Sequence, residues 1–260
     1  KVAPTPVVSY GTMARKAGGA IIITASHNAA AYNGFKIKTP DGAGAPDAVT
    51  AAVEKNISRI LTTGKVERLP LGEALKRGSV EYLDLDPIYS SQLARLVDLP
   101  GLRRAKLKVI VDSMYGAGSG YLKTLLGGGD IEAVEINGER NPSFPGIRPE
   151  PITVNLAKLS AAIKRRKADV GIATDGDADR VGIMDENGRF VTQLQVFALL
   201  ALYLLEVRGE RGPIVKTITA TSMLYRLGEI FKVPVLETSV GFKYVAPVML
   251  AENAIIGGEE

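Results

Sequence analysis

The chain has 260 residues, 46% hydrophobic and 23% charged, enough to bury more than one hydrophobic core. It has no cysteine, which excludes disulfides and thiolate metal sites and is compatible with a cytoplasmic protein. No segment stays apolar over the length that a bilayer requires, so we predict no membrane partner. The net charge of +4 suits phosphorylated ligands. Because the cations are scattered and aromatic residues make up only 6% of the chain, we predict no nucleic-acid partner.

The beginning of the chain predicts a strand that delivers a serine to a loop. Residues 20–23 are apolar and mostly β-branched, the pattern of a strand buried on both faces. The strand leads into a polar loop with Ser26 and His27, the single histidine. Asn33-Gly34 predicts a turn, and residues 35–38 predict a return strand. Adjacent loop side chains usually point apart, so we expect His27 to be poorly placed to take a proton from Ser26.

Helices are predicted on both sides of this pair of strands. One precedes the first strand and runs through Met13 and Ala17. Asp47 is predicted as the N-cap of a second, in which four apolar residues repeat at helical spacing. Another is predicted from Pro87 to Val97, and we place a domain boundary at 100–101. The four repeating residues are Val49, Val53, Ile57 and Ile60.

A second α/β unit is predicted from residue 106 onwards. A strand ending at Asp112 runs into a loop with a cluster of glycines between 116 and 120. The cluster is not a dinucleotide-binding motif, because Tyr121 stands where the third glycine of G-x-G-x-x-G is required. The elements that complete the unit are a helix through Leu122, Leu125 and Leu126, a strand over 131–136, a helix through Leu156, Leu159 and Ile163, and a strand over 169–173.

A third unit follows the hairpin signal Asn187-Gly188. It opens with an apolar helix over 194–205, whose composition suits a buried helix. Strands are then predicted over 214–218, 233–236 and 254–256, with helices over 223–231 and around 245–249. The sequence therefore predicts an α/β fold of three successive small α/β domains, with mixed sheets flanked by helices. The predicted domains span residues 1–100, 101–190 and 191–260.

Three aspartates stand at alternate positions between two apolar strands, residues 170–173 and 181–184. On a tight loop their carboxylates can converge on one hard cation, and their mutual repulsion calls for a counter-charge. A simply solvated acidic loop is the alternative. An EF-hand is excluded because Arg180 occupies the position of the obligatory glycine and the flanking segments are strands. The three aspartates are Asp175, Asp177 and Asp179.

Two motifs carry a resemblance to a known family. The segment 24–28, Thr-Ala-Ser-His-Asn, followed by Tyr-Asn-Gly-Phe-Lys at 32–36, resembles the active-site serine loop of the α-D-phosphohexomutases, the phosphoglucomutases and phosphomannomutases. The segment 175–180, Asp-Gly-Asp-Ala-Asp-Arg, resembles their metal loop. The chain departs from the family at Ala29, where the family has proline. Because alanine does not fix φ as proline does, the loop is expected to be less restrained.

The resemblance implies a role for each residue of the two motifs. Ser26 carries a phosphoryl group, and the three aspartates bind Mg²⁺ together with an oxygen of the phosphoserine. Arg180 lies near the transferring phosphate, and His27 orients the loop or the phosphate. Lys36 is the preferred general acid or base, because burial and nearby cations can lower the pKa of a lysine.

Weaker matches in the third unit extend the resemblance to the substrate. The family interconverts hexose 1-phosphate and hexose 6-phosphate through a bisphosphorylated sugar. Gly-Glu-Glu at 258–260 favours glucose over mannose, and we expect a monomer or a homodimer. The resemblance also implies that the start of the first domain and a fourth, phosphate-gripping domain are missing, so we expect little turnover. The alternative is a catalytically silent fragment that only binds a divalent cation. The predicted substrate-binding residues are Lys216, Gly241, Lys243 and Glu259.

Overall fold

The chain forms three sheets in sequence, each accompanied by helices, in a computed structural model that describes residues 2–259. The predicted α/β fold of three successive small units with flanking helices is confirmed. Within the described residues, no helix is both long enough and apolar enough to cross a membrane.

The first unit holds a two-stranded antiparallel sheet, in which Ala20 lies opposite Lys38. Its strands are β1 (Ala20–Ile23) and β2 (Phe35–Lys38). Its helices are α1 (Thr5–Ala14), α2 (Asp47–Thr63), α3 (Leu71–Lys76) and α4 (Asp86–Leu96).

Strand β1 is not buried on both faces, and that prediction is wrong. Ile22 is 8% exposed, but Ile21 and Ile23 on the opposite face are 70% and 69% exposed. In residues 2–259, β1 pairs with β2 alone, and a two-stranded sheet has few neighbours to cover both of its faces. The apolar run predicted the strand correctly but not what packs against it.

Helix α2 begins at the residue that was predicted to cap it. Pro46 occupies the N-cap position and Asp47 is the first helical residue, so the prediction of Asp47 as the N-cap is wrong. The helix ends before Gly64, which adopts the left-handed conformation that favours glycine, with φ of 65°. No residue of α2 is buried, so its apolar stripe is not covered within residues 2–259.

The second unit has a mixed five-stranded sheet with the strand order β4-β3-β5-β6-β7. Strands β4, β3 and β5 run parallel, whereas β6 and β7 form the predicted antiparallel hairpin. The strands are β3 (Lys108–Asp112), β4 (Glu132–Ile136), β5 (Val170–Thr174), β6 (Val181–Met184) and β7 (Phe190–Val191). The helices are α5 (Leu99–Arg104), α6 (Tyr121–Leu126) and α7 (Ala157–Arg166).

Residues 100–101 were expected to interrupt the helical pattern, but they lie inside α5. The side chain of Asp98 accepts a hydrogen bond from the backbone N–H of Gly101 and so caps this short helix. The domain boundaries themselves stay predictions.

The core of the second unit fixes the edge of the sheet where the site lies. Ile110 on β3 packs with Leu159 and Ile163 on α7, and all three are fully buried. In the parallel pair of β3 and β5, Asp112 lies opposite Ala173, so both strands end at the same edge and the loops over residues 113–120 and 175–180 leave from it. Ligands of α/β sheets collect at this carboxyl edge.

The third unit has a parallel sheet with the order β10-β8-β9. The apolar composition of the first helix predicted that it is buried, and that prediction is wrong for one of its faces. Leu199 and Leu200 are 59% and 50% exposed, while Ala201 is fully buried. The strands are β8 (Ile214–Thr217), β9 (Val235–Thr238) and β10 (Ile256–Gly258). The helices are α8 (Gln193–Leu202), continued by a π-helical turn over Tyr203–Val207, α9 (Met223–Phe231) and α10 (Phe242–Glu252).

Candidate functional site

The serine loop leaves β1 in a conformation that is uncommon for a residue with a side chain. Ser26 has φ of 53°, in the left-handed region. Its backbone N–H donates to the hydroxyl of Thr24, with a distance of 2.8 Å. The backbone N–H of Thr24 in turn donates to the carbonyl of Gly34 at the start of the return segment, at 3.0 Å. Local hydrogen bonds thus hold the loop in a conformation of the kind that concentrates at functional sites.

The aspartate loop connects β5 to β6 and is folded around its first carboxylate. One carboxylate oxygen of Asp175 accepts the backbone N–H groups of Asp179 and Arg180, each at 3.0 Å. Ala178 turns the chain in the left-handed region, with φ of 57°. Carboxylate oxygens of Asp175, Asp177 and Asp179 lie within 4.8 Å of one another, a group that could hold a metal ion.

The two loops touch. The hydroxyl oxygen of Ser26 lies 3.4 Å from Oδ2 of Asp175, at the limit of a hydrogen bond. Gly176 approaches the serine loop so closely that a Cβ atom there would lie 2.4 Å from the carbonyl oxygen of Ser26. A glycine is therefore required between the first two aspartates, because any side chain would push the loops apart.

Lys36 supplies the counter-charge that the sequence predicts. Its ammonium nitrogen lies 2.7 Å from Oδ2 of Asp177 and 2.6 Å from Oδ2 of Asp179. Burial alone would lower the pKa of Lys36, but the hydrogen bonds to both aspartates outweigh burial and raise the pKa. The expectation of a lowered lysine pKa is therefore wrong, and Lys36 is charged at neutral pH.

The aspartates differ in their affinity for protons. Burial, reinforced by the negative charges of Asp179 and Asp177, raises the pKa of Asp175 to about 7. Burial also acts to raise the pKa of Asp177, but hydrogen bonds from Lys36 and two threonines prevail and lower it. Asp177 is therefore ionised at neutral pH, and Asp175 is the one of the two that holds a proton more readily.

The donor set fits a hard cation. Oδ1 of Asp177 is buried and has no hydrogen-bond partner among residues 2–259, although Oδ2 of the same carboxylate accepts several bonds. A buried carboxylate oxygen without a partner is costly unless a ligand completes it. Oxygen atoms of three convergent carboxylates are the ligands that Mg²⁺ and Ca²⁺ prefer.

His27 lies closer to Ser26 than the sequence suggested. Its Nδ1 is 3.3 Å from Oγ of Ser26, so the prediction that it is poorly placed is wrong. Its Nε2 lies 3.8 Å from Oε1 of Glu150. Burial, followed by the positive charge of Arg180, lowers the pKa of His27, so the imidazole is neutral at neutral pH. A neutral Nδ1 facing a hydroxyl can accept its proton.

The glycine-rich loop after β3 packs against the backbone of the aspartate loop. The backbone N–H of Ala117 donates to the carbonyl of Gly176 at 2.9 Å. A Cβ atom on Gly116 would lie 2.7 Å from the same carbonyl oxygen. The cluster that failed the dinucleotide pattern therefore has a packing role, which its spacing alone did not reveal.

The predicted substrate residues of the third unit make their polar contacts away from both loops. The backbone N–H of Gly241 donates to Oε2 of Glu259 at 2.9 Å, which brings two of them together. Lys243 donates to Asp47 of the first unit at 2.5 Å. Lys216 is 2% exposed, and its Nζ lies 2.6 Å from Glu237. Their roles toward a substrate stay predictions.

Sequence reasoning missed three residues that contact the predicted site. Thr5 and Thr24 donate hydrogen bonds to Asp177, and Glu150 lies beside His27. Thr24 stands inside the serine motif, and its position there could have indicated a role in the site. Thr5 and Glu150 lie outside both motifs, and nothing in the sequence around them indicates a contact with the site.

Family models match nearly the whole chain in three consecutive pieces. They describe the α/β/α domains I, II and III of phosphoglucomutase/phosphomannomutase and match residues 1–63, 87–188 and 193–260.

Similar proteins carry related names. A phosphoglucomutase/phosphomannomutase of Thermococcus kodakarensis is 35% identical over 100% of this chain and 55% of its own length. A probable phosphoglucosamine mutase of Methanothermobacter thermautotrophicus is 33% identical over 98% of this chain and 53% of its own. The chain thus spans about half the length of these relatives.

A solved structure agrees with these matches. The crystal structure of a protein named as a phosphomannomutase of Thermus thermophilus superposes with a TM-score of 0.88 at 37% identity, covering 99% of this chain and 57% of that one. With three successive domain models matched in order, the chain belongs to the phosphoglucomutase/phosphomannomutase family of α-D-phosphohexomutases.

Proposed function

We propose that the chain carries the phosphoserine and metal site of a mutase that interconverts hexose 1-phosphate and hexose 6-phosphate. The observation that carries the proposal is the 3.4 Å approach of Ser26 Oγ to Asp175 Oδ2. It puts a hydroxyl that can accept a phosphoryl group beside a group of carboxylates that could hold a metal ion. A phosphoryl group on Ser26 would bring about −1.5 to −2 charges, which require cations nearby.

The proposed metal ion is Mg²⁺, held by Asp175, Asp177 and Asp179 together with a phosphoryl oxygen on Ser26. When bound, Mg²⁺ supplies a Lewis acid that draws negative charge from the phosphoryl oxygens. Lys36 and Arg180 add fixed positive charge for the equatorial oxygens of the transferring group.

In the first half-reaction the bond between phosphorus and Oγ of Ser26 breaks, and a bond forms between phosphorus and a sugar hydroxyl oxygen. The hydroxyl loses its proton and Oγ gains one, giving a hexose bisphosphate and free Ser26. The second half-reaction returns the other phosphoryl group to Ser26. Lys36, whose pKa is raised, keeps its proton and acts through its positive charge, whereas neutral His27, 3.3 Å from Oγ, is suited to take the proton of Ser26 in the return step.

The proposed substrate is a phosphorylated hexose, with glucose favoured over mannose. The preference rests on Gly258-Glu259 and on Glu260, which lies outside the described residues. Glu259 and Gly241 lie together and can form one sugar-binding surface. Lys243 and Lys216 would have to leave Asp47 and Glu237 to reach a phosphate. A cytoplasmic location and a monomeric or homodimeric state also belong to the proposal.

Phosphoryl uptake from sugar bisphosphates tests the proposal. The chain is incubated with glucose 1,6-bisphosphate or mannose 1,6-bisphosphate, with Mg²⁺ or with EDTA, and its intact mass is followed over time. The proposal predicts uptake of one phosphoryl group that needs Mg²⁺ and is faster from the glucose compound. Mg²⁺ binding without uptake from either sugar would instead support the alternative, a silent chain that only binds a divalent cation.

A further inference from the structure

The carboxylate of Asp177 has two oxygens with opposite surroundings. Within the described part of the chain, Oδ2 accepts hydrogen bonds from three donors, the hydroxyls of Thr5 and Thr24 at 2.9 and 3.0 Å and the ammonium of Lys36 at 2.7 Å. Oδ1 is buried and has no hydrogen-bond partner there. One oxygen is therefore held in place, and the other is left available to a ligand.

All three donors belong to the first unit, whereas Asp177 belongs to the second. Thr5, at the start of α1, lies 172 residues before Asp177 and is 3% exposed. Its backbone N–H also donates to the backbone carbonyl of Asp177, at 2.8 Å. Thr5 thus holds both the main chain and the side chain of Asp177, and Thr24 holds the side chain from the serine loop.

We propose that Thr5 and Thr24 are positioning residues for the metal site: by binding Oδ2 of Asp177 they aim Oδ1 at the cation. The inference rests on the proposed function, because it takes the aspartates as the metal ligands. Groups that orient a metal ligand in this way typically change metal affinity by about 10- to 100-fold when removed. Unlike Lys36, the two threonines carry no charge and do not repel a cation.

The metal site is fully oriented only while the first unit packs on the aspartate loop of the second. Metal affinity therefore reports the contact between the serine loop and the aspartate loop, as well as the ligands themselves.

Calorimetric titration of the 260-residue chain with MgCl₂ tests the proposal. Thr5→Val keeps the shape of the side chain but removes the hydroxyl, and we expect it to weaken Mg²⁺ binding by about tenfold. Thr5→Ser restores the hydroxyl and should bind close to wild type. Thr12→Val is the matched control, because Thr12 is a buried threonine of the same helix whose hydroxyl donates to the carbonyl of Val8.

The outcomes separate the inference from the proposed function. A tenfold loss in Thr5→Val, with Thr5→Ser and Thr12→Val unchanged, supports the inference. Equal affinity in Thr5→Val and wild type, or equal losses in Thr5→Val and Thr12→Val, overturns it while leaving the metal site intact. No Mg²⁺ binding by the wild-type chain would overturn the metal site itself, and the inference with it. If thermal unfolding shows that Thr5→Val is not folded, Thr24→Val carries the same comparison.

Discussion

The hydroxyl oxygen of Ser26 lies 3.4 Å from Oδ2 of Asp175, although 149 residues separate them in the chain. The contact is possible because Gly176, the residue after Asp175, has no side chain to keep the loops apart. It joins the end of β1 in the first unit to the end of β5 in the second.

Asp177→Asn should weaken Mg²⁺ binding by more than about tenfold, because it removes the charge of a ligand whose free oxygen is buried. Calorimetric titration measures the loss. Asp130→Asn, which removes an exposed carboxylate, is the control and should bind like wild type. Equal Mg²⁺ affinity in Asp177→Asn and wild type would show that the carboxylate of Asp177 is not a ligand.

Mg²⁺ binding should weaken as the pH falls below about 7, since Asp175 has a pKa raised to about 7 and must lose its proton to bind a cation. With one proton released, the affinity should fall about tenfold per pH unit below that value. The folding stability of the metal-free chain depends on pH in the opposite direction. A raised carboxyl pKa stabilises the fold at low pH, and this contribution is lost as the pH rises from the ordinary aspartate range through about 7. Calorimetric titrations with Mg²⁺ at about pH 6 and about pH 8 test this prediction. Equal Mg²⁺ affinities at the two pH values would contradict the assignment of Asp175 as a ligand.

Lys36→Met should tighten Mg²⁺ binding, because the ammonium group occupies Oδ2 of Asp179 and, from its place on Oδ2 of Asp177, repels a cation bound at the neighbouring Oδ1. A partly buried ion pair of about 1 kcal/mol corresponds to roughly a fivefold change in affinity. Phosphoryl uptake by Ser26 should nevertheless slow, because a positive charge near the phosphate is lost. Lys55→Met removes an exposed charge of α2 and serves as the control. Weaker Mg²⁺ binding in Lys36→Met would argue against competition.

Gly176→Ala should separate the serine and aspartate loops, because its Cβ would lie 2.4 Å from the carbonyl oxygen of Ser26. We expect a loss of about 1–3 kcal/mol in the free energy of unfolding, as for overpacked sites, and slower phosphoryl uptake. Gly72→Ala, where a Cβ meets open space, should do neither. Chemical denaturation and uptake assays measure both effects. Unchanged uptake in folded Gly176→Ala would mean that the close approach is not needed.

The order of helices and strands could be predicted from the sequence, because the spacing of apolar residues within a short segment is enough to indicate each element. Residues 223–231 have the predicted helical bounds, and the strands that flank the aspartates are both present. The sequence could not show which apolar faces are covered. Ile21 and Leu199 lie in patterns typical of buried elements, yet both are exposed, because burial depends on neighbours from other parts of the chain.

The site was predictable only as far as its motifs. Ser26 and the aspartates stand in motifs, and the structure brings them together. The bond from Thr5 to Asp177 joins segments 172 residues apart, and no local pattern encodes it. The pKa of Lys36 was expected to be lowered and is raised, because its value depends on two carboxylates that only the fold brings near.

The most direct test asks which residue takes the phosphoryl group. The wild-type chain and Ser26→Ala are incubated with glucose 1,6-bisphosphate and Mg²⁺, and intact mass and peptide mapping locate the phosphate. The account predicts one phosphoryl group on Ser26 in the wild-type chain and none in Ser26→Ala. A Ser26→Ala chain that takes up phosphate like the wild type would contradict it.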